Sequence, residues 1–349
     1  MKTKAVLVMF LLLSLCIGVG GSVIRGGTSG GGESDSAISV IAYFCKNDTM
    51  KYVRTVSEFS VENGDTVGKS QKLREEFMVI VRDSTPQGYV VEFIPTFFQY
   101  GDSASGDMKS RVFSSLKESF KGLTAVFTTD EFGRLQGLEN WKEVRDKMKG
   151  AIKTMFDSLY AVVPDVDSVM PRANIEALTT LMYSSEEGVL SAYDEVAMLF
   201  ALHGSMFNIG RYDVDNLSKD SSFTTIAAGY GPYDGYGYDH DYGIMAKSVT
   251  KYSVEETRDL VGGVFNLIFK DGVADKFNQA MGDSLDTGMT ITLLEDYNLF
   301  YNGWPCMMRK QKIIELGPRT KVSTDEIGWV YRSWRQYARD DASVRVSSF

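Results

Sequence analysis

Hydrophobic residues alternate with polar ones in short runs at both ends of the chain, and recur at helical spacing in its middle. Near the start, Ile38, Val40 and Ala42 alternate with Ser39, Ile41 and Tyr43, the period of a strand. Tyr52, Val53 and Val56 stand in a β-rich run from Met50 to Glu62, closed by the turn signal Asn63-Gly64-Asp65. Phe77 to Val81 is a continuous apolar run, the pattern of a strand buried on both faces. Thr85-Pro86-Gln87-Gly88 then turns the chain into the run Tyr89 to Ile94. The stretch from Ala37 to Pro95 therefore predicts an antiparallel meander.

The middle of the chain reads as helix. Met108, Val112, Leu116 and Phe120 recur at helical spacing between Asp107 and Lys121, with Gly122 as the stop. A hairpin follows, Leu123 to Phe127 turning through Asp130-Glu131-Phe132-Gly133. Trp141, Val144, Met148, Ile152, Met155, Leu159 and Val162 then recur at steps of three and four. Asn140 and Glu143 make a variant of the capping box at the start of this helix, and Pro164 ends it. Asn174 to Tyr183 is a further helix. Ser184-Ser185-Glu186-Glu187 caps another that runs to about Leu202, with Leu190, Tyr193, Val196, Ala197 and Phe200 facing inward.

Strands return from Met206 onward. Val254 to Ala280 is mainly helical, and Met289, Ile291 and Leu293 alternate with Thr290 and Thr292. Asn302-Gly303 between Tyr301 and Trp304 is a strong hairpin signal, with Pro305 at the start or edge of the returning strand. Trp329, Tyr331, Ser333, Arg335 and Tyr337 alternate near the C-terminus, as a closing strand or a short helix. The order β-rich, helical, β-rich predicts an α+β fold: an antiparallel sheet, flat or curved, built from both chain ends and packed on a central helical segment. Residues 37–349 are expected to form one large domain, β-rich over 37–135, helical over 139–203 and β-rich with a helix over 206–349.

The first residues change the picture from fold to address. Met1-Lys2-Thr3-Lys4 is a basic start, Ala5 to Val19 is uncharged and apolar, and small residues follow at Gly20, Gly21 and Ser22. That order is a secretory signal peptide over 1–20, cut after Gly20 or Gly21, with a Gly/Ser-rich linker over 21–36. An apolar run of about 15 residues is short for a membrane span, which needs roughly 20. Cys16 offers a second fate, attachment of a lipid. The Gly/Ser-rich stretch from Gly26 to Ser36 suits a lipid-anchored tether, whereas Leu15 occupies a position where such sites carry a small residue. The expected location is the periplasm, the outer membrane or the medium, with membrane contact only through that anchor. An oxidising compartment permits a bridge between Cys45 and Cys306, closing a loop of about 260 residues, and the alternative is two separately buried thiols.

Charge and composition narrow the partners. The chain of 349 residues has a formal net charge of −9. Loss of Lys2 and Lys4 with the leader leaves 35 basic against 46 acidic residues, or −11. Nucleic acid is excluded as a partner, because phosphate binding needs a basic surface or a strong basic patch. Arg332, Arg335 and Arg339 form only a small basic cluster, expected on a solvated face. The chain has only two histidines, His203 and His240, so a metal site built on several of them is excluded. His203 is expected to meet the last carbonyls of a helix. The segment Gly229 to Gly243 holds five tyrosines and three aspartates among glycines, the residue types of sugar sites and calcium loops. Asp239 and Asp241 are its metal-ligand candidates, but the third acid and distal Glu of a calcium loop are missing, and a surface loop is the plainer reading. No nucleophile elbow, phosphate loop or dinucleotide fingerprint stands in a strand–helix context. No catalytic residue and no cofactor are therefore expected.

Three stretches resemble one another's counterparts in a known group. The opening meander to Ile94, the segment Thr128 to Arg134 running into Glu139-Asn140-Trp141-Lys142-Glu143-Val144, and the hairpin Tyr301-Asn302-Gly303-Trp304-Pro305 together resemble exported lipoproteins of Gram-negative bacteria, of a family of unknown function. The resemblance implies an envelope location and a β-rich fold, and carries over no catalytic residue. Leu15 departs from the family's lipid-attachment pattern. Export, the absence of catalytic motifs and the 16 methionines, a residue type that adapts to varied ligands, favour a non-catalytic protein that binds an envelope ligand or protein partner, an apolar molecule among the candidates. A carbohydrate-active or sugar-binding protein using 229–243, and a structural subunit of a surface assembly, are the alternatives.

Overall fold

The computed structural model describes residues 37–101, 122–162, 167, 171–214, 222–231, 241–268 and 287–333. The leader, the linker, Cys16, the helix expected over 107–121, Asp239, His240, Arg335 and Arg339 lie outside the described residues.

Thirteen strands are described: β1 (Ala37–Val40), β2 (Thr49–Glu62), β3 (Asp65–Thr85), β4 (Gly88–Tyr100), β5 (Ala125–Thr129), β6 (Leu135–Leu138), β7 (Ser205–Asn208), β8 (Gly210–Val214), β9 (Ser222–Tyr230), β10 (Tyr242–Tyr252), β11 (Met289–Leu299), β12 (Pro305–Leu316) and β13 (Arg319–Ser333). The helices are α1 (Trp141–Val162), α2 (Arg172–Met182), α3 (Glu186–Leu190), α4 (Asp194–Phe200) and α5 (Val254–Ile268). Eleven strands form one antiparallel sheet in the order β6-β5-β4-β3-β2-β13-β12-β11-β10-β9-β8. That order is two meanders laid edge to edge. Their seam is the β2–β13 pair, which runs from Arg319 opposite Glu62 to Ser333 opposite Thr49. The sheet is thus built from both chain ends, as the pattern predicts, and the fold is broadly α+β with far more strand than helix.

Two strands do not join. β1 leaves the main sheet and pairs only with β7, from Ala37 opposite Asn208 to Val40 opposite Ser205. Its alternation is as expected, with Ile38, Val40 and Ala42 buried, so its inner face seals one end of the core rather than extending the sheet. A second correction concerns Phe77 to Val81. Phe77, Val79 and Val81 are buried, whereas Met78 and Ile80 are only half-buried, so the run packs fully on one face alone.

The core occupies one face at one end of the strands. On β2, Met50, Tyr52 and Arg54 are buried, and residues 55–61 are all half-buried. Tyr297, Met308 and Ile327 continue that face across the C-terminal meander, and Val196, Leu199 and Phe200 of α4 press on it. Each such side chain contributes about 1.5–3 kcal/mol by leaving water. Tyr193 enters the same core, with its ring 5.7 Å from Phe93 and 5.3 Å from Phe127. The helix expected over 184–202 is interrupted at Ser191 to Tyr193 and divides into α3 and α4, and Ala197 is exposed instead of facing inward.

The capping signals also divide. Asn140 does not cap α1 through its side chain. Its Oδ1 accepts a hydrogen bond from Val126 N at 2.9 Å and its Nδ2 donates to Thr124 O at 2.8 Å, tying the helix start to β5. A reciprocal capping box stands instead at α5, where Glu256 N donates to Ser253 Oγ and Ser253 N donates to Glu256 Oε2.

Both short turn signals are confirmed. Asn63 and Gly64 have φ of 52° and 91°, the left-handed pair that a two-residue hairpin needs. Gly303 has φ of 85°, and a Cβ there would lie 2.6 Å from Ile41 O. Gly303→Ala is therefore expected to cost about 2 kcal/mol, readable as a lowered urea midpoint with an unchanged slope. Pro305 begins β12, so it needs no ladder donor despite lying in the middle of the sheet.

Candidate functional site

The residues singled out by sequence come to rest in different places. Asp241 is part of the β9–β10 hairpin, where its main chain accepts from Gly231 N at 2.9 Å. Its Oδ2 accepts from Tyr301 N at 2.7 Å, so its carboxylate fastens this hairpin to the β11–β12 turn. Among the described residues no group of three or more His, Cys, Asp or Glu is placed to hold a metal ion. Cys45 is half-buried and Cys306 is buried. The Cys306 Sγ lies 3.2 Å from Asn298 O, and burial pushes its thiol up to about 12. Arg332 is exposed, as expected, and lies over Phe300 and Trp329, 4.6 and 5.0 Å from their ring centroids.

His203 meets the backbone of Phe200, the last residue of α4, as expected. Its ring is buried between Phe44 and Phe200, at centroid distances of 5.7 and 5.5 Å. Neither ring nitrogen meets strict hydrogen-bond geometry, but the backbone of Phe200 and of Gly303 lies close enough to favour the charged ring. Burial lowers its pKa to about 4, so the ring is neutral at physiological pH.

Arg54 marks a second buried group, one that the sequence patterns do not single out. It falls on the inner face of β2 because it keeps the parity of Met50 and Tyr52. Its Nε donates to Asp325 Oδ1 at 3.0 Å and its Nη2 to Asp325 Oδ2 at 2.7 Å, a bidentate pair across the seam. Nη1 donates to Glu195 Oε2 at 2.7 Å, and Glu75 on β3 lies at 3.7 Å. Asp194, beside Glu195 in the first turn of α4, is at 4.0 Å. One guanidinium thus gathers carboxylates from β3, β13 and α4. Burial raises Glu195 and Glu75 above the ordinary carboxylate range, and Arg54 pulls each of them partly back. The acids of this network outnumber the cation in a poorly solvated place, which works against all of them being charged at once. Its geometry is that of a clamp, fixing α4 to the seam where the apolar core ends.

A groove lies on the opposite face of the C-terminal meander. On β9 and β10 the buried Ile226, Ala228, Ile244 and Ala246 alternate with outward Thr225, Ala227, Met245 and Lys247. In register, Arg211, Ala227, Met245, Asp296 and Arg309 make one cross-strand row from β8 to β12. Thr225, Lys247, Leu294 and Gln311 make the next. These rows line a groove of about 450 Å³, also edged by Ala246 and Glu295. Its floor is apolar and its rim is charged, the composition of a small-molecule site. It is open to solvent, with Met245 38% exposed.

No family model matches the chain, and no curated protein matches it. Among solved structures, it is similar to lipovitellin, in a structure describing lipid–protein interactions, at 8% identity and a TM-score of 0.40. That match covers 85% of this chain and 26% of lipovitellin, so the chain spans about a quarter of that protein's length. It is also similar to DynF of the dynemicin biosynthesis pathway of Micromonospora chersina, at 6% identity, a TM-score of 0.19 and 92% coverage of both chains. An outer membrane lipoprotein-sorting protein domain from Vibrio parahaemolyticus gives 6% identity and a TM-score of 0.18, covering 85% of this chain and 91% of its own.

Proposed function

We propose that this chain is an exported protein of the cell envelope that binds a small ligand without catalysing a reaction on it. The observation that carries the binding half is the groove of about 450 Å³ on the outward face of β8 to β12. Its size lies in the range of about 300–1,000 Å³ common to ligand sites. It rests on strands paired on both sides, apart from the β8 edge, so it is formed before any ligand arrives. The export half rests on the basic, apolar and small-residue order of residues 1–22.

Native mass spectrometry of the protein purified from the envelope fraction tests the binding half. A bound small molecule is expected, and Ala227→Trp, which fills the groove floor, is expected to remove it. An apo mass in the parent protein, or a bound molecule retained by the variant, overturns the assignment of the groove. Mass spectrometry of the mature N-terminus tests the export half. A start at Gly21 or Ser22, or a diacylglyceryl group on Cys16, supports it, and an intact Met1 in the envelope fraction sinks it.

A further inference from the structure

We infer that the groove takes an amphipath with one anionic head group and an apolar tail, a long-chain fatty acid or a close relative of it. The inference rests on the binding role proposed for the groove and adds the class of ligand.

The charge balance of the lining points to an anion. Arg211, Lys247 and Arg309 contribute three cations and Asp296 one anion, and Asp213, at the β8 end of the Lys247 row and bonded by Thr225 Oγ1 at 2.6 Å, adds a second anion at the edge, so the cations remain in excess by one. Glu295 also edges the groove, but its carboxylate is buried at 5% exposure and pairs with Lys310 at 3.3 Å, so it does not offset them. On a chain with a net charge of −9, a local excess of positive charge is opposite in sign to the rest of the protein. Such a patch attracts and orients anions.

The arrangement of that charge points to a single head group beside a tail. Arg211 is exposed on the edge strand β8, and Lys247 is exposed on β10. They stand two strand spacings apart and two residues offset along the strands, about 12 Å, which two long flexible side chains can close on one carboxylate. Between and beyond them lie Ala227, Met245 and Leu294, whose carbon surface continues the groove across β9, β10 and β11. A methionine there can repack around chains of different length and unsaturation. A compact polyanion would use the rim and leave this floor wet; a neutral lipid would use the floor and leave the cations idle.

Displacement of the uncharged fluorophore N-phenyl-1-naphthylamine tests the inference, with palmitate and hexadecanol as matched competitors. Palmitate is expected to displace the probe at a concentration at least about tenfold lower than hexadecanol. The double variant Arg211→Gln/Lys247→Gln is expected to abolish that advantage while leaving hexadecanol unchanged. Both residues are exposed, so circular dichroism should show the variant folded. Equal displacement by the two competitors, with Ala227→Trp blocking both, overturns the anionic head group and leaves the groove as a binding site. A palmitate advantage that survives the double variant overturns the placement of the head group. Probe binding that Ala227→Trp leaves untouched, or no binding of any of the three, overturns the groove itself along with the inference.

Discussion

Replacing Arg54 with methionine is expected to lower the unfolding free energy by about 3–5 kcal/mol, the cost of removing one partner from a buried ion pair. Arg54 is 8% exposed and Glu195 6% exposed, so solvent does little to shield what the substitution leaves behind. Glu195, Glu75 and Asp325 would remain around a void with no counter-charge. Their remaining relief is to take up protons, so the loss should be greatest at alkaline pH and shrink toward pH 5. Glu195→Gln is the contrasting change. It keeps an acceptor for Arg54 Nη1 and removes one of the surplus acids, so it should cost about 1 kcal/mol or less. It should also remove a specific pH dependence. The folded pKa of Glu195 lies above its unfolded value, because burial disfavours the charged carboxylate. The folded state therefore holds a proton that the unfolded chain releases, and stability falls as pH rises from the ordinary carboxylate range through the raised value. Urea titrations at pH 5, 7 and 9 decide the matter. An Arg54→Met protein within about 1 kcal/mol of the parent at pH 7, with no pH trend, would show that the cluster is not a clamp.

Arg54 also shows where sequence patterns lose their grip. Its neighbours Tyr52, Val53 and Val56 mark a strand correctly, and parity alone places Arg54 on the buried face with Tyr52. What parity cannot supply is the partner. Asp325 lies 271 positions along the chain and Glu195 141, and only the β2–β13 seam and the folding back of α4 bring them together. The signal available was a charged residue in a strand position whose neighbours on the same face are Met50 and Tyr52.

The length of the strands was hidden for a related reason. β3 runs for 21 residues, yet only Phe77 to Val81 carries an apolar signature. Its first half, from Asp65 to Glu76, is largely polar: Asp65 to Val67 are exposed, and Glu75, though buried, faces Arg54 rather than the apolar core. The same holds for Arg309-Lys310-Gln311-Lys312 of β12, whose strand state comes from pairing with β11 and β13 on either side. Turns, by contrast, were legible because they are local. Asn63, Gly64 and Gly303 need left-handed backbone that few other residues adopt, and no distant contact is required to say so. Asn140 and Ser253 divide on that line. The Ser253–Glu256 box is satisfied within four residues, whereas Asn140 is drawn away by the β5 backbone, a partner that its own helix does not specify. The groove was the least legible of all. Its residues come from five strands, and each looks like an ordinary outward position until register aligns Arg211, Ala227, Met245, Asp296 and Arg309 in one row.

Stability on the acid side should be governed by His203. The ring is buried and neutral in the fold, so protonation would place a charge in the apolar space between Phe44 and Phe200, which the Phe200 and Gly303 backbone offsets only in part. Its folded pKa falls from 6.5 to about 4 because burial disfavours the charged imidazolium. Between those values the unfolded chain binds a proton that the folded chain refuses, so stability rises with pH across this window and is lost as pH falls through it. The full effect amounts to about 3 kcal/mol, at 1.36 kcal/mol for each pKa unit. Glu195 acts in the opposite sense above the carboxylate range and would mask part of this slope, so the measurement belongs in a Glu195→Gln background. There, unfolding free energies between pH 4 and 7 should climb with the parent histidine and lie flat with His203→Leu, whatever the leucine does to the plateau. A slope that survives the leucine would assign the acid sensitivity to other groups and return His203 to a plain packing role.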